Sequence, residues 1–460
     1  MPRLFFIITF GCQMNVYDSG HLSTLLEKKG WLPASSKEEA DFIFFNTCSI
    51  REKAARRVIT HVRALKSLKK QKPDLLVGVG GCVAEQEGLN LIRLAPEVDL
   101  ITGPRRLAEI PNLLEKLERD KLPLILTGEG TPEKDKTAYL SPKKAPLCAF
   151  LTIMEGCNNF CAYCVVPYLR GREVSREPEE ILTEARNLLQ NGAREITLLG
   201  QNVNSYHPNS LNLPQGEAFR YLLEEVNKLP NLWRLRFTTS HPKDFPPHLA
   251  QLFATLQNLA SHLHLPLQSG SNRILKAMGR HYDRETYLEI VSALRVNVPN
   301  IAITTDIITG FPGETEKDFE DTLDILKTIR FDALFSFKYS DRPQTAALNL
   351  SPKVPEDEKS QRLEIINKVQ REISTEINSK LLNTIAEVLV EGRGRLPSQL
   401  SGRLRNNKIV NFMGPEELIG ELVPVKITQT GPVSLGGILK TPSRTLDFEP
   451  REISPELKLG

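Results

Sequence analysis

Residues 156–164 read GCNNFCAYC and follow an apolar run, Ala149–Met154, that predicts a buried β-strand. The three cysteines of this stretch, Cys157, Cys161 and Cys164, fall within eight residues. Thiolates are the ligands of iron–sulfur clusters, so one tight loop with this spacing can bind three corners of a four-iron cube. The fourth iron then either takes a cysteine from elsewhere in the chain or stays open for a small molecule. Zinc and chance clustering are the alternatives, although no neighbouring fourth Cys or His would close a zinc site.

The composition is that of a globular protein with unpaired cysteines. The chain has 460 residues, 40% hydrophobic and 25% charged, which suggests about three domains. Its formal net charge of +3 neither requires nor excludes a nucleic acid. The N-terminal apolar run is too short to span a membrane, so we expect a cytoplasmic protein without a membrane partner. In that compartment, seven cysteines favour metal binding or catalysis over disulfides.

Strand and helix patterns alternate through the first part of the chain. Strands are expected at Leu4–Phe10, Asp41–Asn46, Leu75–Gly80 and Val98–Thr102. Helical periodicity covers Asp18–Lys29, Arg51–Lys69 and Arg105–Leu117. This alternation predicts an N-terminal α/β domain with a parallel sheet over residues 1–125, and a Gly-, Pro- and Lys-rich linker follows at 126–147.

A second alternation begins with the strand before the first cysteine motif. Further strands are expected at Glu195–Leu199, Leu232–Thr238, His262–Leu267, Ala302–Ile308 and Ala333–Tyr339. Helices are expected between them at Glu179–Gln190, Tyr221–Lys228, His248–Leu256, Arg284–Leu294 and Lys317–Ile329. Six strand–helix units predict a partial TIM barrel, (β/α)6, over residues 148–378, and a long polar helix at Pro355–Asn378 ends it.

The last part of the chain changes to short β-like runs with frequent turn signals. They predict a small all-β barrel over residues 379–445, with a tail at 446–460. Over Lys380–Thr445, nine basic residues stand against five acidic ones. Much of this positive charge lies in two adjacent segments, at Arg393, Arg395, Arg403, Arg405 and Lys408. Such a patch can bind a phosphate backbone, and a solvated charged surface is the alternative.

A second cysteine triplet is scattered in sequence but shares one structural setting. Cys12, Cys48 and Cys82 each follow an expected strand of the N-terminal domain. The carboxyl ends of parallel strands lie on one edge of a sheet, where ligands bind, and helix N-termini there favour thiolates. We therefore expect these cysteines to converge on a second cluster with one open iron. Three separately buried cysteines are the alternative. The seventh cysteine, Cys148, is expected to start a strand and not to be a ligand.

The first cysteine motif resembles that of the radical S-adenosylmethionine (SAM) superfamily, and the whole chain resembles its methylthiotransferases of the MiaB type. The resemblance rests on TFGCQMNVYDS, NTCSIREKA, GCNNFCAYCVVPYLRGRE, LLGQNVNSY, LHLPLQSGS and DIITGFPGET. It implies SAM and two 4Fe-4S clusters as cofactors. The radical-generating cluster would lie on the first triplet and the sulfur-bearing cluster on the second, so all six cysteines would be catalytic. The C-terminal barrel resembles the TRAM domain, which binds RNA.

The resemblance also implies a reaction. Enzymes of the MiaB type convert N6-isopentenyladenosine beside the tRNA anticodon to its 2-methylthio form, with two SAM molecules per turnover. One SAM methylates sulfur on the open iron of the second-triplet cluster. The other yields the radical that removes hydrogen from carbon 2 of the adenine. Relatives that modify threonylcarbamoyl-adenosine in tRNA or a ribosomal-protein aspartate are alternatives, and so is a non-enzymatic RNA-binding iron–sulfur sensor.

Several residues near barrel strand ends are assigned to SAM by the same resemblance. Tyr163 corresponds to an aromatic residue that contacts the adenine. Other parts of SAM are expected to lie against residues that follow the second and fourth barrel strands, namely Gly200, Gln201, Asn202, Gln268 and Ser269. After the fifth strand, Gly310 and Gly313 permit close approach of the backbone to a ligand, and Gly310 is expected to bind the cofactor. Related enzymes often carry Gly-Gly-Glu after the second strand, and this sequence departs from that pattern. Ordinary turns are the alternative for each, and Glu314 is a candidate cap for the next helix.

Three arginines beside the first cysteine motif are expected to contact a ligand. Arg170, Arg172 and Arg176 suit either the SAM carboxylate or tRNA phosphates, because a guanidinium binds both, and a solvated loop is the alternative. As partners, the resemblance implies the anticodon stem-loop of tRNA, an electron donor such as flavodoxin or ferredoxin, and a sulfur source. We expect a monomer.

Overall fold

The computed structural model describes residues 2–49, 52–120, 122–128, 130, 144–214 and 216–440, with residues 52–56 as backbone alone. The chain forms two compact units, Met1–Ser374 and Thr375–Gly460. Most of the expected linker and all of the expected tail lie outside the described residues. Among the helices that are described, none is both long and apolar enough to cross a membrane.

The first unit begins with a six-stranded parallel sheet. Its strands are β1 (Leu4–Phe10), β2 (Leu32–Pro33), β3 (Phe42–Thr47), β4 (Leu76–Gly81), β5 (Leu100–Thr102) and β6 (Leu124–Leu126). They lie in the order β2-β1-β3-β4-β5-β6. The helices are α1 (Gln13–Lys28), α2 (Glu52–Arg63), α3 (Lys66–Gln71), α4 (Cys82–Glu87), α5 (Leu89–Leu94) and α6 (Ile110–Asp120).

Strand β3 shows why this sheet is buried on both faces. Its side chains alternate, so Phe42 and Phe44 pack into one core with α1 and α6, while Ile43 and Phe45 pack into another core on the opposite face. The sequence of a strand that is covered on both faces is one continuous apolar run rather than an alternating pattern. The sequence analysis missed β2 and β6, which have only two and three residues. The helix expected at Arg51–Lys69 is broken into α2 and α3.

The rest of the first unit is the expected partial barrel. Its strands are β7 (Cys148–Thr152), β8 (Met154–Glu155), β9 (Val174–Ser175), β10 (Glu195–Leu199), β11 (Arg234–Thr238), β12 (His262–His264), β13 (Ala302–Thr309) and β14 (Ala333–Lys338). Two parallel sheets, β11-β10-β7 and β12-β13-β14, are joined by a parallel bridge between Leu235 and Leu259. The helices are α7 (Val166–Leu169), α8 (Pro178–Gln190), α9 (Glu217–Asn227), α10 (Leu252–Thr255), α11 (Asn272–Ala277), α12 (Arg284–Asn297) and α13 (Glu316–Ile329). A last helix, α14 (Glu356–Ser379), begins in the first unit and ends in the second.

Alternate residues of the barrel strands face opposite environments. Leu198, Leu235, Ile303 and Ile307 belong to one apolar core that also contains side chains of α8, α9, α12 and α13. Because side chains alternate along a strand, the positions between them face the inside of the barrel. That inner face therefore carries the residues that can meet a ligand.

The second unit contains a closed barrel of five short strands. They are β15 (Ile385–Arg393), β16 (Gln399–Arg403), β17 (Ile409–Met413), β18 (Leu422–Thr430) and β19 (Ser434–Leu439), closed in the order β15-β16-β17-β19-β18. Val390, Leu400, Val410, Phe412 and Val425 fill its centre. The small all-β barrel expected from the turn spacing is thereby confirmed.

Two glycines of the N-terminal sheet domain should respond oppositely to alanine. Gly81 has a φ of +89°, and a Cβ there would lie 2.3 Å from the carbonyl oxygen of Thr47. We expect Gly81→Ala to lower the free energy of unfolding by at least about 2 kcal/mol. Gly20, inside α1, has no atom within 4 Å of its Cβ position, so Gly20→Ala should stabilise the chain by about 1 kcal/mol. Denaturant unfolding under anaerobic conditions measures both, and equal stability of the two variants would contradict the described strand end.

Candidate functional site

Three strands of the N-terminal sheet end level with one another. Phe10 of β1 pairs with Thr47 of β3, and Thr47 pairs with Gly81 of β4. Cys48 and Cys82 are the next residues along their strands, and Cys12 comes two residues after Phe10. The prediction that these three cysteines share one edge of the sheet is therefore confirmed.

Asn15 fixes the first of these cysteines against the second strand. Its side-chain oxygen accepts from the Cys12 backbone N–H at 3.3 Å and lies 3.2 Å from Cys12 Sγ. Its Nδ2 donates to Asn46 Oδ1 at 2.9 Å and to the Thr47 carbonyl oxygen at 3.1 Å. Asn15 is fully buried. It was missed in the sequence, although an Asn at the third position of α1 is a capping-box signal.

The three thiols of this edge contact one another. Hydrogen bonding to Cys48, with a contribution from the nearby Arg170 charge, lowers the pKa of Cys12 and of Cys82 to about 6 each. The same hydrogen bonds raise the pKa of Cys48. Two of the three side chains are thus poised as thiolates, which is the form that binds metal.

Arg170 provides a test of whether this edge suits an anionic cluster. It is 3% exposed, and its Nη2 donates to Asp18 Oδ2 at 2.9 Å. Its Nη1 is buried and has no hydrogen-bond partner within the described residues. A buried cation beside Cys12 and Cys82 suits an iron–sulfur cluster, whose thiolates and sulfides are negative.

The spacing of the thiols also bears on the kind of metal centre. Within the described ranges, no group of three or more His, Cys, Asp or Glu side chains surrounds a single metal-ion position. A four-iron cluster has a different requirement, because each thiolate binds a different iron of the cube.

The first triplet, Cys157, Cys161 and Cys164, lies on the loop between β8 and α7. The Cys157 backbone N–H donates to the Gly171 carbonyl oxygen at 3.2 Å, and that of Cys164 donates to the Cys161 carbonyl oxygen at 2.9 Å. Burial raises the pKa of Cys157 and, with the neighbouring cysteine charges, raises that of Cys164 to about 12. Cluster irons would supply positive charge beside Cys157 and Cys164 and so favour their thiolates.

Arg280 is a site residue that the sequence analysis missed. Its Nη1 lies 3.4 Å from Cys161 Sγ and 3.5 Å from the hydroxyl of Tyr163, and its Nη2 donates to the Pro266 carbonyl oxygen at 2.9 Å. It is 4% exposed. No local motif marks an arginine so far from the cysteine loop in sequence, so only the fold could identify it.

Polar atoms without partners gather at the ends of β10 and β11. Gln201 Oε1, Asn202 Oδ1, Ser240 Oγ and His241 Nε2 are buried and have no hydrogen-bond partner in the described part of the chain. The side-chain Nδ2 of Asn202 donates to Asp244 Oδ2 at 2.7 Å. These strand ends lie at the same end of the barrel as the cysteine loop, which follows β7 in the same sheet. Such unused buried groups fit a polar ligand like SAM.

Ser240 and His241 were also missed, although a signal for them exists. They follow the third barrel strand in the sequence TTSHP, just as Gln201 and Asn202 follow the second strand. The same strand-end position was therefore a signal for these two residues. His241 Nδ1 accepts from the Lys243 backbone N–H at 3.2 Å. Burial and the nearby Arg280 charge lower the pKa of His241, so the imidazole is neutral and its Nε2 carries the proton.

Gln268 and Ser269, which were assigned after the fourth strand, differ in backbone conformation and in hydrogen bonding. Gln268 lies in the left-handed region with a φ of 72° and is 7% exposed. Ser269 is fully buried, and its hydroxyl accepts from the Ser271 backbone N–H at 3.2 Å. Gly200, after the second strand, donates its N–H to the Thr238 carbonyl oxygen at 3.2 Å.

One expectation after the fifth strand needs correction. Lys359 packs beside Gly310, and its Cγ would lie 2.3 Å from a Cβ there, while contact of the Gly310 backbone with SAM stays a prediction. Glu314 is not the cap of α13, because Thr315 is the N-cap. Glu314 instead accepts from the Gly310 N–H at 2.7 Å and forms a buried ion pair with Arg362 at 2.7 Å. Gly313 donates to the Pro352 carbonyl oxygen at 2.8 Å.

The three arginines beside the cysteine loop also differ in their surroundings. Arg176 forms a buried ion pair with Glu184 at 2.8 Å and donates to the Thr152 carbonyl oxygen at 2.6 Å. Neither Arg176 nor Arg170 is accessible to an RNA phosphate, and neither belongs to a solvated loop. Arg172 is exposed and stacks over Phe160, with its Cζ 5.5 Å from the ring centre.

The expected basic patch lies on the barrel of the second unit. Arg393 pairs with Glu416 at 2.7 Å, and Arg403 pairs with Glu391. Arg395 and Arg405 are exposed, and Lys408 is half-buried. A phosphate that binds Arg393 or Arg403 has to replace a carboxylate of the same barrel, which weakens their contribution.

Three family models match separate parts of the chain. The radical SAM superfamily matches residues 151–326, the uncharacterized protein family UPF0004 matches residues 4–103, and the TRAM domain matches residues 380–440. Together they cover the sheet domain, the partial barrel and the closed barrel.

Curated relatives match nearly the whole chain. Proteins named tRNA-2-methylthio-N(6)-dimethylallyladenosine synthase include one from Carboxydothermus hydrogenoformans, 45% identical over 95% of this chain and 99% of its own length. The one from Syntrophus aciditrophicus is 44% identical over 94% of this chain and 93% of its own. The one from Geotalea uraniireducens is 44% identical over 95% of this chain and 99% of its own.

A solved structure shares the fold of the chain at low sequence identity. The radical S-adenosylmethionine methyltransferase TsrM from Kitasatospora setae, with cobalamin and a 4Fe-4S cluster bound, superposes with a TM-score of 0.54. The two are 16% identical, over 87% of this chain and 81% of that chain. This likeness concerns the fold alone.

The Arg170–Asp18 pair should couple strongly in a double-mutant cycle. Removal of one partner from a buried ion pair costs about 3–5 kcal/mol, because the other charge is left unpaired. We expect Arg170→Met and Asp18→Leu each to destabilise the chain by that amount, and the double variant to be far more stable than the sum predicts. The exposed pair Arg186 and Glu179, 3.0 Å apart, is the control and should couple by less than about 1 kcal/mol. Equal coupling in both pairs would contradict the buried bridge.

Proposed function

The chain belongs to the family of tRNA-2-methylthio-N(6)-dimethylallyladenosine synthases, and on that premise we propose that it transfers a methylthio group to carbon 2 of N6-isopentenyladenosine in tRNA. The target nucleotide lies beside the anticodon. The identity of about half the residues over nearly full length supports this substrate over threonylcarbamoyl-adenosine and over a ribosomal protein. The observation that carries the proposal is that one compact unit holds two cysteine triplets, and that Arg170, which follows Cys164 in sequence, lies beside Cys12 and Cys82 of the other triplet.

The six cysteines are proposed as the ligands of two 4Fe-4S clusters. The sheet-edge triplet (Cys12, Cys48 and Cys82) would hold the sulfur-bearing cluster, and the loop triplet (Cys157, Cys161 and Cys164) would hold the radical-generating one. When bound, the clusters and SAM supply one-electron chemistry and the transferred sulfur. Carbon 2 of adenine has no acidic proton for a side-chain base to remove, so the protein needs such cofactors.

The side chains of the protein position these groups. Asn15 contacts Cys12, and Arg170 lies beside Cys82. Arg280 contacts both Cys161 and Tyr163 of the cysteine loop. The unpartnered atoms of Gln201, Asn202 and their neighbours are proposed to bind SAM. Gly200, Gln268, Ser269 and Gly310 shape the loops around that site.

The domain assignment follows the same division. Residues 1–125 would carry the sulfur-bearing cluster, 148–378 the radical-generating one, and 379–445 would bind the anticodon stem-loop through the basic barrel residues. Arg172 is the arginine of the cysteine loop that is exposed enough to contact RNA. Flipping the target base out of a loop costs little, since loop bases are weakly stacked.

Further partners and the cellular location are also proposals. A low-potential donor such as flavodoxin or ferredoxin would supply electrons, and a separate source would restore the sulfur. Within the described residues, the six cysteines of the two triplets form no disulfide, which fits the reducing conditions of the cytoplasm. We propose a monomer, because both triplets lie within one chain.

The reaction gives a direct test. Reconstituted protein, SAM, dithionite and an anticodon stem-loop RNA with N6-isopentenyladenosine should yield 5′-deoxyadenosine and the 2-methylthio nucleoside, both measured by mass spectrometry. RNA with unmodified adenosine is the control and should yield no methylthio product. If a fully reconstituted sample formed no 5′-deoxyadenosine, the radical assignment would fail, and an RNA-binding iron–sulfur sensor would account better for the chain.

Cysteine variants separate the two triplets. Replacing Cys157, Cys161 or Cys164 with Ala should abolish SAM cleavage, since that cluster supplies the electron. Replacing Cys12, Cys48 or Cys82 should block methylthio transfer and leave some 5′-deoxyadenosine formation. Cys148→Ala, outside both triplets, is the matched control and should keep both activities. Equal loss of both activities in all six variants would argue against this division.

A further inference from the structure

The inner face of the second half-barrel carries polar and aromatic side chains where the outer face is apolar. His264 of β12 pairs with Thr304 of β13, and Asp306 of β13 pairs with Phe335 of β14. The alternate residues of β13, Ile303 and Ile307, face the helices. We call His264, Thr304, Asp306 and Phe335 the inner strip.

The members of the inner strip contact one another. His264 Nδ1 lies 3.0 Å from Thr304 Oγ1, and His264 Nε2 lies 3.5 Å from Asp306 Oδ2. The rings of His264 and Phe335 meet in a T-shaped arrangement with their centres 6.1 Å apart. The imidazole therefore fixes the carboxylate and the phenyl ring next to each other.

The inner strip is open although it lies inside the barrel. Phe335 is 54% exposed, and the Asp306 side chain is 24% exposed. Strand β14 is at the edge of its sheet, so one side of the barrel is not covered by a further strand. Ser336, on the opposite face of β14, has its partner in α14, where it donates to Asn367 Oδ1 at 2.7 Å. The phenyl ring is therefore mostly open beside a half-buried carboxylate, and an apolar ring that stays exposed adds little to stability.

The inner strip continues toward the cysteine loop. Ile308, two residues beyond Asp306 on the same face, packs with Tyr163 against one small apolar cluster. Two residues along a strand span about 7 Å. A ligand of the size of one nucleobase that contacts the inner strip can therefore reach the region beside Tyr163.

We propose that the inner strip binds the target adenine, with Phe335 stacked on the base and Asp306 accepting the N6–H. This inference rests on the proposed function. An N6-substituted adenine keeps one N6–H donor, and a carboxylate is a strong acceptor for it. Carbon 2 lies on another edge of the base, so this contact leaves it free to face the cysteine loop. Stacking on aromatic side chains is the usual way that proteins hold an unpaired base.

The same two side chains would select the N6 substituent. A dimethylallyl group is apolar and fits beside Phe335 and the exposed Ala333, which lie on the same face of β14. A threonylcarbamoyl group carries a carboxylate, which Asp306 would repel. Asp306 and Phe335 are thus specificity-determining residues for the isopentenyl form.

Binding measurements without turnover test this inference. Reconstituted protein without reductant is titrated with stem-loop RNAs that carry adenosine, N6-isopentenyladenosine or threonylcarbamoyl-adenosine, and Kd is measured by fluorescence anisotropy. Phe335→Ala should weaken binding of the isopentenyl RNA about ten-fold while adenosine RNA, held mainly through its phosphates, changes little. Phe335→Leu, which keeps bulk without the aromatic face, should fall between. Tyr221→Ala, which removes an exposed aromatic from α9, is the matched control and should change neither Kd.

The Asp306→Asn variant tests the selection against negative charge. It should reduce the preference for isopentenyl over threonylcarbamoyl RNA by about ten-fold, because the repulsive charge is gone. Iron content and SAM cleavage without RNA are measured for every variant, and Tyr221→Ala, which lies outside the inner strip, should match the wild type in both. Unchanged Kd ratios in Phe335→Ala and Asp306→Asn would overturn the inference. If the wild type bound isopentenyl RNA selectively but never methylthiolated it, the proposed function would fail, while the inference that the inner strip binds the adenine would remain supported.

Discussion

The parallel register of β1, β3 and β4 is the constraint on which the cluster site depends. Pairing of Phe10 with Thr47, and of Thr47 with Gly81, brings three strand ends level. Cysteines separated by more than thirty residues in sequence then contact one another. A shift of the pairing register by one residue would move a thiol away from the other two and would turn every side chain of that strand to the opposite face of the sheet. Packing on both faces of the sheet therefore also fixes the positions of the thiols.

Arg170 connects the sheet domain with the barrel, because it follows the barrel's cysteine loop and bonds to Asp18 of the sheet domain. It follows the cysteine loop in sequence, yet its charge lies between Asp18 of α1 and the sheet-edge thiols. A guanidinium buried in this way is stable only if anionic groups surround it. Arg170 therefore fixes the chain segment that follows the cysteine loop against α1 and the sheet-edge thiols, and removal of Asp18 leaves its charge without this partner.

Much of the fold and the cysteine geometry could be predicted from sequence, because buried strands and strand-end positions leave local patterns. Strands β1 and β10 match the expected bounds, and the shared edge of Cys12, Cys48 and Cys82 followed from parallel topology alone. Arg280 and Asp18 could not be found, because their roles come from contacts between residues far apart in sequence. Glu314 was misassigned for the same reason, since its partner Arg362 lies on α14. The roles of the SAM-facing and basic residues stay predictions.

The count of iron per chain tests most directly whether each triplet holds its own cluster. The account predicts about eight iron atoms in the reconstituted wild type and about four after Cys12, Cys48 and Cys82 are all replaced with Ala. The remaining iron should disappear only when the loop triplet is replaced as well. About four irons in the wild type, unchanged by loss of the sheet-edge triplet, would contradict the account.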